Sequence, residues 1–132
     1  MKIFLSHSSE DKQFARQLRS RFETSGLEVW LDEAALIPGA SWVQQISKAI
    51  DRADVFVALV GANWSSPWVQ KETAAALSQA ENNPSLRIIP IFLPGSKRDE
   101  VPQSLRSRVG LDLGNVAETL GLFISPCQLG FF

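Results

Sequence analysis

The chain has 132 residues, of which 45% are hydrophobic, and a formal net charge of −1. This size and composition indicate one globular domain with a substantial core and exclude a disordered segment. Because basic residues are not in excess, direct binding to nucleic acid is disfavoured. The single cysteine, Cys127, cannot form an intrachain disulfide, and no apolar signal segment follows Met1. We therefore expect a cytoplasmic protein that does not bind a membrane.

Strand-like and helix-like segments alternate along the chain. In chain order the predicted elements are the strand Lys2–Leu5, the helix Ser9–Ser25, the strand Leu27–Leu31, the loop Asp32–Ala40, the helix Ser41–Arg52, the strand Asp54–Val60, the helix Pro67–Ala80, the strand Leu86–Leu93, the loop Gly95–Arg108 with a helical turn, the strand Val109–Leu113 and the helix Asn115–Phe123. The strand Asp54–Val60 is nearly continuous in apolar residues, which is typical of a strand buried on both faces.

Several element ends carry local signals. We expect Ser8 or Ser9 to cap the first helix and Gly26 to end it. Pro90 lies inside a predicted strand, where it cannot donate a backbone hydrogen bond. It therefore indicates a bulge or a strand end.

The alternation predicts an α/β protein with a flavodoxin-like three-layer fold. Its central five-stranded parallel sheet would have the order 2-1-3-4-5, with helices on both faces. In such sheets ligands bind at the carboxyl ends of the strands. The loops at that edge begin at Ser6, Asp32 and Gly61 and near Leu93. The helix Pro67–Ala80 starts from the third of these loops, so its first turns lie on the functional rim.

The start of that helix carries an aromatic ring and a carboxylate on one side. Ser66 is a good N-cap, and Pro67 suits the first helical position. Trp68 and Glu72 lie one turn apart on the same face. Glu72 is either a solvated helix glutamate or a partly desolvated carboxylate that stabilises positive charge on a sugar ring as an N-glycosidic bond breaks. Trp68 either stacks on a ligand ring or packs on the loop above.

Other polar residues on the rim also have a structural and a functional interpretation. Asp32 is either a turn residue or an acceptor for ribose hydroxyls. His7 is either a local hydrogen-bonding residue or part of the pocket lining. Ser6, Ser8 and Ser9 either cap a helix or bind a substrate phosphate at its N-terminus. With one histidine and one cysteine in the chain, no metal site is expected.

Several enzyme classes are disfavoured by missing motifs. The chain has no glycine-rich phosphate cradle, no Walker lysine and no Gly-x-Ser-x-Gly elbow. A phospho-receiver domain shares the predicted strand order, but it needs clustered carboxylates after the first strand and an acceptor aspartate at the end of the third. Here the first strand ends in Ser6-His7-Ser8-Ser9, and Asp54 opens the third strand.

Four segments occur in a characteristic order over about residues 1–113. They are Ile3-Phe4-Leu5-Ser6-His7-Ser8-Ser9-Glu10-Asp11, Val29-Trp30-Leu31-Asp32 with the following loop that ends Ile37-Pro38-Gly39-Ala40-Ser41-Trp42, Ile50-Asp51-Arg52-Ala53-Asp54, and Ser65-x-x-Trp68-x-x-x-Glu72. Together these segments resemble the TIR (Toll/interleukin-1 receptor) domain family, in its bacterial, NAD-consuming form.

The resemblance implies an enzyme that cleaves NAD⁺ at the nicotinamide–ribose bond and releases ADP-ribose or a cyclised ADP-ribose. NAD⁺ is then the substrate, and no cofactor is needed. Glu72 matches the family's catalytic glutamate. The residues implied to contact the substrate are Trp68, Asp32, Ser6, His7 and Ser65. The resemblance also implies activation by self-assembly with other TIR copies, as a homo-oligomer or filament, through a loop that includes Leu36, Pro38, Gly39 and Trp42.

The same resemblance implies an effector of bacterial anti-phage defence that is fused to a C-terminal sensor module. We predict a TIR domain at residues 1–124 and a tail or linker start at residues 125–132. The alternative function is a non-catalytic adaptor whose loops serve only TIR–TIR contact, and a weaker one is a secreted effector that acts on host signalling. The enzyme is favoured, because an adaptor has no physical need for the Glu72 carboxylate.

Overall fold

The computed structural model describes residues 1–31, 41–62, 64 and 67–112. Within these ranges the strands are β1 (Lys2–Ser6), β2 (Glu28–Leu31), β3 (Val55–Val60), β4 (Arg87–Phe92) and β5 (Leu111–Asp112). The helices are α1 (Lys12–Thr24), α2 (Trp42–Arg52), α3 (Pro67–Asn82) and α4 (Gln103–Arg106), and short 3₁₀ turns span Ser9–Asp11 and Arg98–Glu100. The predicted loop Asp32–Ala40 and the predicted helix Asn115–Phe123 lie outside the described residues.

The strands form one parallel sheet of order β2-β1-β3-β4-β5. The predicted order is therefore confirmed, as are the strands and crossover helices of the described ranges. In the centre of the sheet Phe4 of β1 is in register with Trp30 of β2 and Phe56 of β3. The three rings stack, with centroids 4.6 Å and 5.2 Å from that of Phe4. Among the described helices, none is long and apolar enough to cross a bilayer.

Each face of the sheet buries its own cluster of apolar side chains, because successive strand residues point to opposite faces. Ile3 and Leu5 pack with α1 on one face. Phe4 points to the other face, where it packs with residues of α2 and α3. On α1, the side chains of Leu18 and Phe22 are fully buried against the first of these faces. The arrangement is a three-layer sandwich with α1 on one side of the sheet and α2 and α3 on the other.

The start of α1 differs from the prediction. Ser8 has the extended backbone of a cap residue, but neither Ser8 nor Asp11, the residue that precedes α1, makes a side-chain capping hydrogen bond. The Ser8 hydroxyl instead donates to the Asp11 carboxylate, 2.9 Å away. Ser8 therefore occupies the predicted N-cap position, but its hydroxyl does not make the capping bond, because a charged acceptor competes for it. The predicted end is confirmed, since Gly26 follows α1 with a φ of 87°.

Pro90 also differs from the prediction, since β4 continues through it without a bulge. Its Cα is in register with Ala58 of β3. A strand residue directs its N–H and C=O to the same side, and the Pro90 carbonyl faces Gly110, where an added Cβ would lie 1.9 Å from it. An N–H at residue 90 would therefore point toward β5 and away from β3. Because β5 begins only at Leu111, proline removes no hydrogen bond between β3 and β4.

Candidate functional site

The strand order creates a crevice between the carboxyl ends of β1 and β3. From β1 the chain crosses to α1 on one face, and from β3 it crosses to α3 on the other face. Such a reversal separates the loops above two neighbouring strands, and ligands bind in the resulting gap. Ser6 is the last residue of β1, and Gly61 directly follows β3. The polar residues around these two positions therefore form the candidate site.

Ser6 and Glu72 meet in this crevice. Ser6 alternates with Leu5, so its side chain shares the face of Phe4, on which α3 packs. Its hydroxyl donates to Oε1 of Glu72 at 2.9 Å. Both residues are 0% exposed. Glu72 is therefore not a solvated helix glutamate, which leaves the alternative of a desolvated carboxylate on the rim.

The burial of Glu72 has an energetic cost. A carboxylate that leaves water loses several kcal/mol of hydration, and hydrogen bonds return only a part of it. The Ser6 hydroxyl supplies one such bond, which favours the charged form. An apolar side chain at the same place on α3 would avoid this cost altogether. A buried carboxylate at a switch-point crevice is therefore a strong candidate for chemistry.

His7 continues the polar segment and is only 4% exposed. Its Nδ1 lies 2.6 Å from the carbonyl oxygen of Ser8. Because a carbonyl oxygen only accepts, this contact requires a proton on Nδ1. His7 is thus held by the local backbone.

Asp11 is a site residue that sequence reasoning missed. It accepts the Ser8 hydroxyl bond and lies against Gly61, on the other side of the crevice. Burial raises the pKa of its carboxyl group above 3.8, while the Ser8 hydrogen bond and the nearby His7 oppose the rise. The available signal was an aspartate three residues after a serine at a strand-to-helix junction.

The other predicted site residues are described in part or not at all. Trp68 is the second residue of α3, and Trp42 is the first residue of α2; their side chains are not described. The predicted substrate residues Asp32 and Ser65 lie outside the described residues. So does the part of the predicted assembly loop formed by Leu36, Pro38 and Gly39.

Two surface pockets of the described chain are lined by other residues. One pocket of about 400 Å³ lies between β2 and α2 and is lined in part by Lys2, Trp30 and Arg52. Another of about 320 Å³ lies beside α3 and is lined in part by Trp64 and Thr73. Neither pocket contacts Ser6, His7 or Glu72. The candidate site is therefore defined by its buried polar contacts.

These features define a flavodoxin-like α/β domain with a buried carboxylate at the topological switch point. The chain belongs to the TIR domain family, whose sequence profile matches residues 3–121. Among solved structures it is similar to the TIR domains of the activated Roq1 resistosome. That similarity has a TM-score of 0.76 at 20% identity, and covers 92% of this chain and 95% of the other.

Two curated relatives from bacteria have names that state an enzymatic reaction. The chain is 36% identical over 101 residues to the NAD(+) hydrolase PdTIR of Paracoccus denitrificans, covering 75% of this chain and 33% of the relative. It is 28% identical over 114 residues to the 2′ cyclic ADP-D-ribose synthase AbTIR of Acinetobacter baumannii, covering 83% and 42%. The chain thus spans between a third and a half of the length of these relatives.

Proposed function

We propose that the protein cleaves the nicotinamide–ribose bond of NAD⁺, with Glu72 as the catalytic carboxylate. The observation that carries this proposal is the fully buried Glu72, bonded to Ser6 at the switch-point crevice. The membership in the TIR family and the names of the two relatives support the choice of NAD⁺.

The proposed chemistry depends on the ability of a desolvated carboxylate to stabilise a nearby positive charge. As the bond from ribose C1′ to the nicotinamide nitrogen breaks, its electron pair goes to the pyridinium ring, which leaves neutral. Positive charge then develops on the ribose ring. A nearby carboxylate stabilises that charge most strongly where water is excluded. Attack by water at C1′ with loss of a proton gives ADP-ribose, and attack by a ribose hydroxyl within the substrate gives a cyclised product.

The remaining substrate contacts are proposals of the same kind. We assign ring stacking to Trp68 and ribose binding to Asp32, with Ser6, His7 and Ser65 on the rim. Ser6 also orients Glu72, because its hydroxyl donates to Oε1 at 2.9 Å. The domain is proposed to span residues 1–124, followed by a tail or linker start at 125–132.

We also propose that activity requires assembly with other TIR copies through the loop that contains Leu36, Pro38, Gly39 and Trp42. Roq1, a structural neighbour, has TIR domains within an activated assembly. In the cytoplasm, the domain would act as an effector in anti-phage defence, fused to a C-terminal sensor module. The greater length of the two relatives is compatible with such a module.

Nicotinamide release from NAD⁺ tests the catalytic proposal. Glu72→Ala should lower the rate by about a hundredfold to a thousandfold, because it removes a charge that acts on the transition state. Glu81→Ala is the matched control, since Glu81 is an exposed glutamate of the same helix, and it should retain the wild-type rate. Equal rates in wild type and Glu72→Ala would contradict the proposal. Chromatography of the products would distinguish linear from cyclised ADP-ribose.

The dependence of the rate on protein concentration tests assembly. If a neighbouring copy completes the site, the rate should rise faster than in proportion to concentration. Strict proportionality would contradict the assembly proposal without affecting the role of Glu72. If Glu72→Gln impaired assembly instead of turnover, the non-catalytic adaptor would become the better explanation.

A further inference from the structure

We propose that Asp11 is a positioning residue that holds the turn in front of α3, and with it Glu72, against the carboxyl end of β1. The kinetic effects expected from this role rest on the proposed cleavage of NAD⁺. The geometry behind it does not depend on the substrate and consists of three linked contacts.

The first contact joins Asp11 to Gly61, which directly follows β3. A Cβ added to Gly61 would lie 2.3 Å from Oδ2 of Asp11 and 2.7 Å from Oδ1. The carboxyl group thus occupies the space of a side chain at residue 61. The positive-φ glycines of the described chain are Gly26 and Gly95, so Gly61 is not selected for a left-handed backbone. It is selected for the close approach of Asp11.

The second contact fixes Asp11 from its own side of the crevice. The Ser8 hydroxyl donates to Oδ2 at 2.9 Å. The backbone N–H of Asp11 donates to the carbonyl oxygen of Ser8 at 3.1 Å. Both the side chain and the backbone of Asp11 are therefore tied to the connection that carries Ser6 and His7. The two alternative roles, a helix cap or a solvated surface charge, do not fit, since Asp11 makes no side-chain capping bond and is half-buried.

The third contact transmits the position of Gly61 toward α3. The carbonyl oxygen of Gly61 accepts the backbone N–H of Trp64 at 3.3 Å. Trp64 is 3% exposed and belongs to the apolar cluster that also contains Val69 of α3. A shift of Gly61 would therefore move the turn and the first turns of α3. Glu72 lies in the second turn of that helix, so its distance to Ser6 depends on the contact between Asp11 and Gly61.

Substitutions at Asp11 test the inference through kinetics. Asp11→Ala should lower kcat for NAD⁺ cleavage by about tenfold to a hundredfold, since small misplacements of a catalytic group have effects of that size. KM should stay within about twofold, because the substrate contacts are retained. Asp11→Asn should keep kcat within about threefold, since the amide has the same volume and its oxygen can accept the Ser8 bond. Glu10→Gln, at an exposed carboxylate of the same turn, is the control and should resemble wild type.

A double substitution tests the contact itself. Gly61→Ala should lower kcat, because its methyl group would overlap the carboxyl group. In Asp11→Ala/Gly61→Ala the methyl group has room, so the double variant should be more active than the product of the two single effects predicts. Independent effects of the two substitutions would overturn the proposed contact.

Amide hydrogen exchange separates this inference from the proposed function. Asp11→Ala should speed exchange at Trp64 and in the first two turns of α3, whereas Glu10→Gln should not. If wild type released no nicotinamide but this change appeared, the proposed function would fail and the positioning role would stand. Unchanged exchange, or a fall in kcat that only follows a loss of folded protein, would overturn the positioning role.

Discussion

The two ends of β1 carry polar residues in opposite environments. At the amino end the backbone N–H of Lys2 donates to Asp54 at 2.8 Å, and its ammonium group lies 3.9 Å from Glu28; all three residues are exposed. At the carboxyl end Ser6 donates to Glu72, and both are fully buried. The first set remains hydrated at little cost, whereas the second has lost its hydration. The same strand thus has a structural end and an end that carries the candidate chemistry.

Of the substitutions at the two ends of β1, Ser6→Ala at the carboxyl end should have the largest effect on activity and stability. A bond to a charged group contributes about 1.5–3 kcal/mol, so nicotinamide release should fall by about tenfold to a hundredfold. The free energy of unfolding should fall by about 1–3 kcal/mol, because Glu72 stays buried without that donor. Steady-state kinetics and urea denaturation measure the two effects.

Ser78→Ala provides a matched control on the exposed surface of α3. It should leave both quantities unchanged. A wild-type rate in Ser6→Ala would show that the Ser6 hydroxyl does not support the carboxylate in the reaction.

Asp54→Ala tests the structural end and should have a smaller effect. Its bond to the Lys2 backbone is exposed, so we expect a loss of about 0.5–1 kcal/mol in the free energy of unfolding. The rate of nicotinamide release per folded molecule should not change, because Asp54 is at the amino end of the sheet. Glu28→Gln should change the free energy of unfolding by less than about 0.5 kcal/mol, since its ion pair is solvated. A substantial loss of turnover in either variant would contradict the division between the two ends.

The smallest effect concerns the pH dependence of stability. Burial raises the pKa of the Asp11 carboxyl group above 3.8. Between that value and the raised pKa, the folded protein binds more protons than the unfolded chain, so this group's contribution to stability falls as the pH rises. The free energy of unfolding of wild type minus that of Asp11→Asn should therefore become lower as the pH rises through this window. Above the raised pKa it should be constant. Denaturation from below pH 3.8 to neutrality measures it; a difference that increased with pH would contradict the assigned direction.

Sequence reasoning predicted the sheet because that part of the fold depends on local patterns. The apolar run Asp54–Val60 and the alternation of elements indicated a buried parallel sheet, and the preference for right-handed crossovers left few strand orders, from which 2-1-3-4-5 was chosen. The Trp68/Glu72 spacing, together with the position of that helix at the rim of the sheet, also indicated Glu72 as a candidate site residue. These features depend on neighbours a few residues apart.

The features that were missed depend on contacts between distant segments. Asp11 and Gly61 are 50 residues apart, and nothing in either local sequence indicates their close approach. The Ser8 hydroxyl could bond either to a backbone N–H at the start of the helix or to the Asp11 carboxylate. Only the folded position of Asp11 decides between the two. Pro90 is tolerated inside β4 because β5 begins just beyond it, which is a property of the sheet edge.

The most direct test of the central claim measures both activity and stability in Glu72→Gln. If the buried carboxylate exists for chemistry, nicotinamide release should be lost while the free energy of unfolding stays constant or rises, because a neutral amide costs less to bury. Retained release would contradict the claim. So would a loss of roughly 2 kcal/mol or more in the free energy of unfolding, since the carboxylate would then be part of the structural framework.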